Sequence, residues 1–238
     1  MHKENCFVTL TYRPLFMHKD RSLHMEDFQK FMKRLRKRFG KVRFFHCGEY
    51  GDKLNRPHYH ACIFGFDFPD KVLWKIRDGV RLYRSKELEK LWYYGFSTVG
   101  DVNFKSAAYV ARYVTKKVNG DLADKHYKGR CPEYVTMSRR PGIAASWFQK
   151  YGSDVFPQDY MVVNGVRCKP VRYYDNMFDV DNPEQFGIIK LSRVEKAKAN
   201  PDNTLRRMRV REKVKLVNFT QLKRGFEKCN LYRWSKWT

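Results

Sequence analysis

The chain has 238 residues, enough for one substantial core and a smaller appendage, and its 42% hydrophobic and 16% aromatic content excludes disorder throughout. Its 49 Lys and Arg against 25 Asp and Glu give a formal charge of +24, which self-repels unless an anionic partner screens it. No segment approaches ~18 consecutive apolar residues and no signal-peptide pattern opens the chain, so the expected partner is nucleic acid in a cytoplasmic compartment and not a membrane.

Residues 6–12, Cys-Phe-Val-Thr-Leu-Thr-Tyr, alternate and are rich in β-branched and aromatic types, and Arg13-Pro14 ends them: a strand. Residues 25–39 carry an apolar stripe at helical spacing (Met25, Phe28, Phe31, Met32, Leu35, Phe39), with Gly40 as the stop. The opposite face holds Lys30, Lys33, Arg34, Arg36, Lys37 and Arg38, which reads as a solvated charged surface. A strand over 42–50, a turn from Gly51 to Arg56 and a strand over 57–66 follow. A short helix over 85–94 turns Leu88, Leu91 and Trp92 inward, 96–102 fits a fourth strand, and 104–118 reads as a helix stopped at Asn119-Gly120. Residues 121–142 are loop-like, with Gly129, Pro132 and Pro141, and 143–151 could form one more short helix.

This mixture is an α+β pattern: an antiparallel sheet with helices packed on it, in a domain over residues 1–152. The remainder, 153–238, is a basic and mostly helical region. Asn164-Gly165 between two apolar runs signals a hairpin, and helices fit 184–199 and 204–222. From Thr204 to Thr238 there are eleven Lys or Arg and two acids, a net of +9, which points to DNA contact by the tail; Trp234 and Trp237 there, like Tyr93-Tyr94 earlier, are candidates for stacking on bases. None of the six cysteines forms a C-x-x-C pair, so no zinc knuckle is signalled, and Cys6, Cys47 and Cys62 sit in strands, where cysteine packs as a small apolar residue.

Two constellations carry chemistry. In Arg56-Pro-His-Tyr-His60 the two histidines are i and i+2 on a strand, so His58 and His60 share one face and can reach one metal ion. Symmetric pairing across the Gly51–Arg56 turn puts Glu49 opposite His58 and Cys47 opposite His60. With Glu49 as third ligand the set suits Mg²⁺ or Mn²⁺ beside an oxygen-rich substrate; a Cys47 thiolate would tilt it toward zinc, and a surface carboxylate is the plain alternative for Glu49. The second constellation is Ala108-Tyr-Val-Ala-Arg-Tyr-Val-Thr-Lys-Lys117, where Tyr109 and Tyr113 are i and i+4 on one helical face, with Arg112 beside them and Lys116 and Lys117 within reach. A phenol attacks phosphorus only where a metal polarises the phosphate and cations hold the phenolate. The plain alternative is an aromatic core stripe shared with Phe104. Ser138-Arg-Arg-Pro-Gly142, with Arg139 and Arg140, is a basic turn suited to DNA.

Together these motifs resemble the rolling-circle replication initiators of single-stranded DNA phages, the microviruses, closest to the gokushovirus branch, and more widely the HUH endonucleases. Phe7-Val-Thr-Leu-Thr-Tyr12 looks like the first family motif, Gly48-Glu-Tyr-Gly51 with Arg56-Pro-His-Tyr-His60 the second, and Tyr109-Val-Ala-Arg-Tyr113 with Lys116-Lys117 the third, in its two-tyrosine form. The resemblance implies a ferredoxin- or RRM-like sheet, a divalent metal on His58, His60 and Glu49, and Tyr109 and Tyr113 as nucleophiles. One would join the 5′ end at the origin and free a 3′ hydroxyl, and the other would cleave after one round. Lys116 or Lys117 would steady the phosphate, and Arg56 and Arg112 would lie along the DNA. The partners implied are single-stranded origin DNA, with a host helicase and polymerase, in the host cytoplasm. A related transposase or relaxase, or a non-enzymatic single-strand binder, are the competing readings. The resemblance also implies a cysteine-rich stretch ahead of the first strand, where this sequence has only a few residues.

Overall fold

The computed structural model describes residues 2–51, 54–77 and 79–221, the side chains of 113–116 and 219–221 excepted. Cys229, Trp234 and Trp237 lie outside the described residues. These residues divide into two compact units, one within residues 2–140 and one within 141–221. No helix among the described residues is long and apolar enough to cross a membrane.

The first unit is built on a seven-stranded antiparallel sheet. Its strands are β1 (Asn5–Tyr12), β2 (Arg43–Tyr50), β3 (Pro57–Phe64), β4 (Val72–Arg77), β5 (Val80–Arg84), β6 (Gly95–Gly100) and β7 (Tyr134–Met137). They lie in the order β4-β5-β6-β1-β3-β2-β7. Helices α1 (Met25–Phe39), α2 (Lys86–Leu91), α3 (Phe104–Lys116) and α4 (Ala123–Tyr127) complete the unit.

Because side chains alternate, each strand divides its residues between two faces. One face is the core. Cys6, Val8, Leu10 and Tyr12 of β1, with Tyr59, Ala61 and Ile63 of β3, pack with Phe28, Phe31, Met32 and Leu35 of α1 and with Leu88, Leu91 and Trp92 at α2. The helical stripe read over 25–39 is this contact. The charged side of α1 is partly employed: Arg34 donates to the Leu91 carbonyl and lies over Tyr93, and Arg36 donates to the Val42 carbonyl. The other face carries a smaller cluster, in which Val110 and Ala107 of α3 seat on Cys47 of β2 and Cys62 of β3.

Four elements of this unit depart from the sequence reading. Residues 72–84 form the β4–β5 hairpin, and the span read as a loop, 121–142, contains α4 and β7. β7 is a strand because it pairs with β2, Cys47 against Val135. α4 steadies the end of α3: the Tyr127 hydroxyl accepts from the Val118 N–H and donates to Glu133.

The second unit holds α5 (Ala145–Tyr151), β8 (Met161–Val163), β9 (Val166–Cys168), α6 (Arg172–Asp181), α7 (Pro183–Ala199) and α8 (Leu205–Gln221). Asn164 and Gly165 both take positive φ, as a two-residue hairpin requires. The division falls at Pro141, ahead of residue 152, because Phe148 on α5 packs with Val155, Phe156, Tyr174, Phe186 and Ile189. Arg193 draws Asp159 and Asp175 together around this core. α6 was not anticipated, and α8, with Arg206–Lys215, is exposed.

Candidate active site

The strands set the register on which the site depends. Glu49 pairs with His58 and Cys47 with His60, as symmetric closure of the turn requires. On the other side of β3, Thr11 pairs with His58 and Thr9 with His60. All of these belong to the face opposite α1. There they line a pocket of about 270 Å³ formed by Thr9, Thr11, Glu49, Gly51, His58, His60 and Tyr109.

Tyr109 reaches this pocket because of how α3 begins. Asn103 caps the helix in a reciprocal box with Ser106, and Val110 and Ala107 anchor the next turn on the sheet. Tyr109 then overhangs the histidines, 39% exposed, with its ring edge-on to His60 at 5.0 Å between centroids. Its hydroxyl donates to Glu49 Oε1 at 3.3 Å, and the same oxygen lies 2.7 Å from His60 Nε2. Glu49 therefore reaches diagonally to His60, although its backbone partner is His58. Both Glu49 and His60 are buried. Phe104 is exposed, so Tyr109 does not belong to an aromatic core stripe with it.

Cys47 does not line the pocket. It is buried beneath Val110, and Cys62 beside it is pushed up to about 11 by burial, so that thiol stays protonated. The carboxylate, not a thiol, meets the histidines.

The two threonines were not foreseen. Thr11 Oγ1 lies 2.8 Å from His58 Nδ1 and Thr9 Oγ1 lies 3.1 Å from His60 Nδ1. The signal for them was present: Thr-x-Thr on β1 has the same i, i+2 spacing as His-x-His on β3. A hydroxyl can donate or accept, so each threonine satisfies its histidine in either tautomer. Gly51 is the other unforeseen member. A Cβ there would stand 2.6 Å from His58 Nε2, so only glycine leaves that nitrogen its space.

The donor set fits a divalent cation in kind: two imidazoles whose Nδ1 atoms are held by hydroxyls, and one carboxylate. Among the described residues, no three His, Cys, Asp or Glu side chains are gathered closely enough to hold an ion outright. The His58 and His60 ring centroids are 6.5 Å apart, and a hydrogen bond joins His60 to Glu49.

The remaining candidate residues lie outside the pocket lining. Tyr113 and Lys116 are on α3, one to two turns beyond Tyr109, and their side chains fall outside the described ones. Lys117 is exposed at the helix end. Arg112 is exposed and donates to the Ala108 carbonyl. Arg56 donates to the Tyr12 carbonyl and ties the turn to β1. Arg139 and Arg140 are exposed after β7. Tyr93 is exposed, while Tyr94 packs against Trp92.

Residues 5–118 match the family model of the replication-associated protein ORF2. The replication-associated protein VP4 of Bdellovibrio phage phiMH2K is 34% identical over 198 residues, 78% of this chain and 61% of the relative. The replication-associated protein ORF2 of Spiroplasma virus 4 is 33% identical over 202 residues, 77% of this chain and 61% of the relative. The replication-associated protein ORF4 of Chlamydia phage 1 is 33% identical over 189 residues, 74% of this chain and 46% of the relative. The chain thus spans about three fifths of the length of the first two curated relatives it matches. No solved structure matches it.

Proposed function

We propose, since through residues 5–118 the chain belongs to the replication-associated protein ORF2 family of microvirus type, that it initiates phage replication by nicking and rejoining single-stranded origin DNA through a tyrosine. What carries the reading is one convergence: the Tyr109 hydroxyl from the helix and His60 Nε2 from the sheet meet on the same Glu49 oxygen, in a pocket open enough for a phosphate.

In this reading the Tyr109 oxygen forms the bond to phosphorus and its proton passes toward Glu49, the acceptor it already faces. The bond to the 3′ oxygen breaks, and that oxygen takes a proton from water and leaves as a hydroxyl. The energy of the broken diester is kept in the tyrosyl phosphodiester, so attack by a 3′ hydroxyl can reverse the step without ATP. A divalent ion, Mg²⁺ or Mn²⁺, held by His58, His60 and Glu49 would draw charge from the scissile phosphate and ease ionisation of the phenol. Thr9 and Thr11 fix the ring orientations that such a role demands. Tyr113, one helical turn on, is assigned the second cleavage, and Lys116 and Lys117 the steadying of phosphate charge. Arg56, Arg112, Arg139 and Arg140 are assigned to the DNA backbone. The freed 3′ hydroxyl would serve a host polymerase, and strand separation a host helicase, in the host cytoplasm.

The test is a denaturing gel of protein incubated with an oligonucleotide carrying the cognate origin and Mn²⁺. A covalent protein–DNA adduct is expected, lost in Tyr109→Phe/Tyr113→Phe, while each single variant assigns the order of attack. Cleavage without an adduct would mean water is the nucleophile. An adduct that survives the double variant sinks the reading.

A further inference from the structure

The pocket occupies only the β2, β3 and β1 part of its face. The same face continues across β6, β5 and β4, and what lies there is neither core nor ordinary solvated surface. Thr11 pairs with Phe96 on β6, so Phe96 stands on the site side, next to the threonine that holds His58. It is 52% exposed, and the Arg13 guanidinium lies over its ring at 5.4 Å. Tyr83 of β5 pairs with Val99, whose side chain belongs to the core face, so Leu82 and Arg84 point to the site face. Pairing then brings Val72, Lys75 and Arg77 of β4 to that face opposite Arg84, Leu82 and Val80. At the bulge between Leu73 and Lys75, Trp74 is half exposed, with the Lys75 ammonium 3.9 Å and the Arg84 guanidinium 5.7 Å from its ring centroid.

Among the described residues β5 pairs with β6 only through Tyr83 and Val99, so the hairpin leaves the sheet as a ribbon whose outer strand is exposed along its whole length. Val72, Ile76 and Val80 are more than half exposed. A ribbon with bare aromatic and aliphatic groups among cations calls for an occupant. The occupant must be anionic, because β4 and β5 carry Lys75, Arg77, Arg81 and Arg84, and Asp78 is the one acid in the sequence from residue 71 to 84. A second copy, with its own +24 charge, would set like against like. Arg84 is already held by Glu89, so the argument leans on Arg13 and Lys75, the cations beside the two exposed rings.

We propose that the site face of β6 and the β4–β5 ribbon form a single-stranded DNA arm, with Phe96 and Trp74 as base-stacking platforms and Arg13 and Lys75 along the phosphates. Strands lie about 4.8 Å apart, so β4 is about 19 Å from the histidine strand, room for several nucleotides beyond the scissile phosphate. Stacking on an aromatic face is indifferent to base identity, so the arm supplies grip and direction while the pocket does the chemistry. The inference rests on the proposed strand-transfer reading for its place in the reaction, but not for its measurement.

The test is fluorescence anisotropy of the full chain with labelled oligothymidylate of about 16 nucleotides in metal-free buffer. Phe96→Ala and Trp74→Ala are each expected to weaken binding about 5- to 100-fold, with Phe96→Tyr close to wild type. Lys75→Glu is expected to lower the slope of log affinity against log salt by about one. Unchanged melting temperatures establish that these exposed substitutions act on binding. Wild-type affinity in both alanine variants overturns the arm, while the adduct assay stands on its own. Loss of the adduct in Tyr109→Phe/Tyr113→Phe with oligothymidylate binding intact is the expected separation of the two. If sedimentation shows Trp74→Ala dissolving a dimer with DNA affinity unchanged, the ribbon binds a second copy and the proposal is wrong.

Discussion

The two faces of the sheet use the same residue types for opposite ends. His46 and His60 lie on adjacent strands, yet His46 faces α1, stacked on Phe28 with ring centroids 3.5 Å apart and Nδ1 on Thr136, while His60 faces the pocket, with Nδ1 on Thr9 and Nε2 on Glu49. Tyr12 and Tyr59 are buried and hydrogen-bonded to each other, and Tyr12 also to Asp27, while Tyr109 stands half open over a carboxylate. Residue identity does not decide between structure and chemistry here. Strand parity does, because a one-residue shift in register would exchange the two sets.

The sharpest way to break this comparison is to truncate one histidine from each face. In His60→Ala nicking of origin DNA should fall by at least about 100-fold per folded molecule, because the residue bounds the pocket. In His46→Ala the reverse is expected: a loss of about 2–4 kcal/mol in urea unfolding, from the cavity under Phe28, with activity per folded molecule kept. Equal effects of both on both measurements would mean that the faces are not functionally separate.

Thr11→Val is the next smaller step. It keeps shape and removes the hydroxyl 2.8 Å from His58 Nδ1. Stimulation by Mn²⁺ should require roughly tenfold more metal, as loss of an orienting partner does, with stability changed by about 1 kcal/mol or less. An unaltered Mn²⁺ titration would remove the threonine from the site.

How far the sequence carried depended on whether its signals were local. The stripe on α1, the alternation on β1 and the symmetric Gly51–Arg56 turn are short-range features, and they were enough to place Glu49 against His58. Thr9 and Thr11 were missed because they meet the histidines 51 and 47 residues away, and nothing short-range announces that β1 pairs with β3. β4 was missed for a different reason. It is exposed on both faces and bulged, so the alternation on which strand recognition depends is absent. β7, with four residues, is a strand only by virtue of its partner.

On the core face, Asp27 offers a smaller test. Burial pushes its carboxyl up, but the Tyr12 hydroxyl at 2.6 Å and His18 at 2.7 Å outweigh that and hold it below the usual carboxylate range. Tyr12 and His18 meet the same carboxylate oxygen, so Asp27→Asn keeps an acceptor toward both but removes the charge that strengthens the two bonds, and should cost about 1–3 kcal/mol in urea unfolding, with nicking per folded molecule unchanged.

The smallest expected effect is a pH dependence that separates His46 from the pocket histidines. Burial first, and the nearby His60 charge second, push the His46 imidazole well below its ordinary value. Above about pH 6.5 the ring is neutral in both the folded and the unfolded chain and contributes no slope. As pH falls below about 6.5, the unfolded chain takes up a proton that the folded chain refuses, so unfolding gains by up to about 1.4 kcal/mol per pH unit from this residue. The depressed Asp27 carboxyl acts lower, because the stability it contributes is present above about pH 4 and lost as pH falls further, so it adds no slope between about pH 7 and about pH 5. His46→Phe keeps an aromatic ring against Phe28 and cannot titrate. Urea unfolding from about pH 7 to about pH 5 should therefore be flatter in the variant than in the wild type by about one proton. Parallel curves would assign the acid sensitivity to histidines outside the core face.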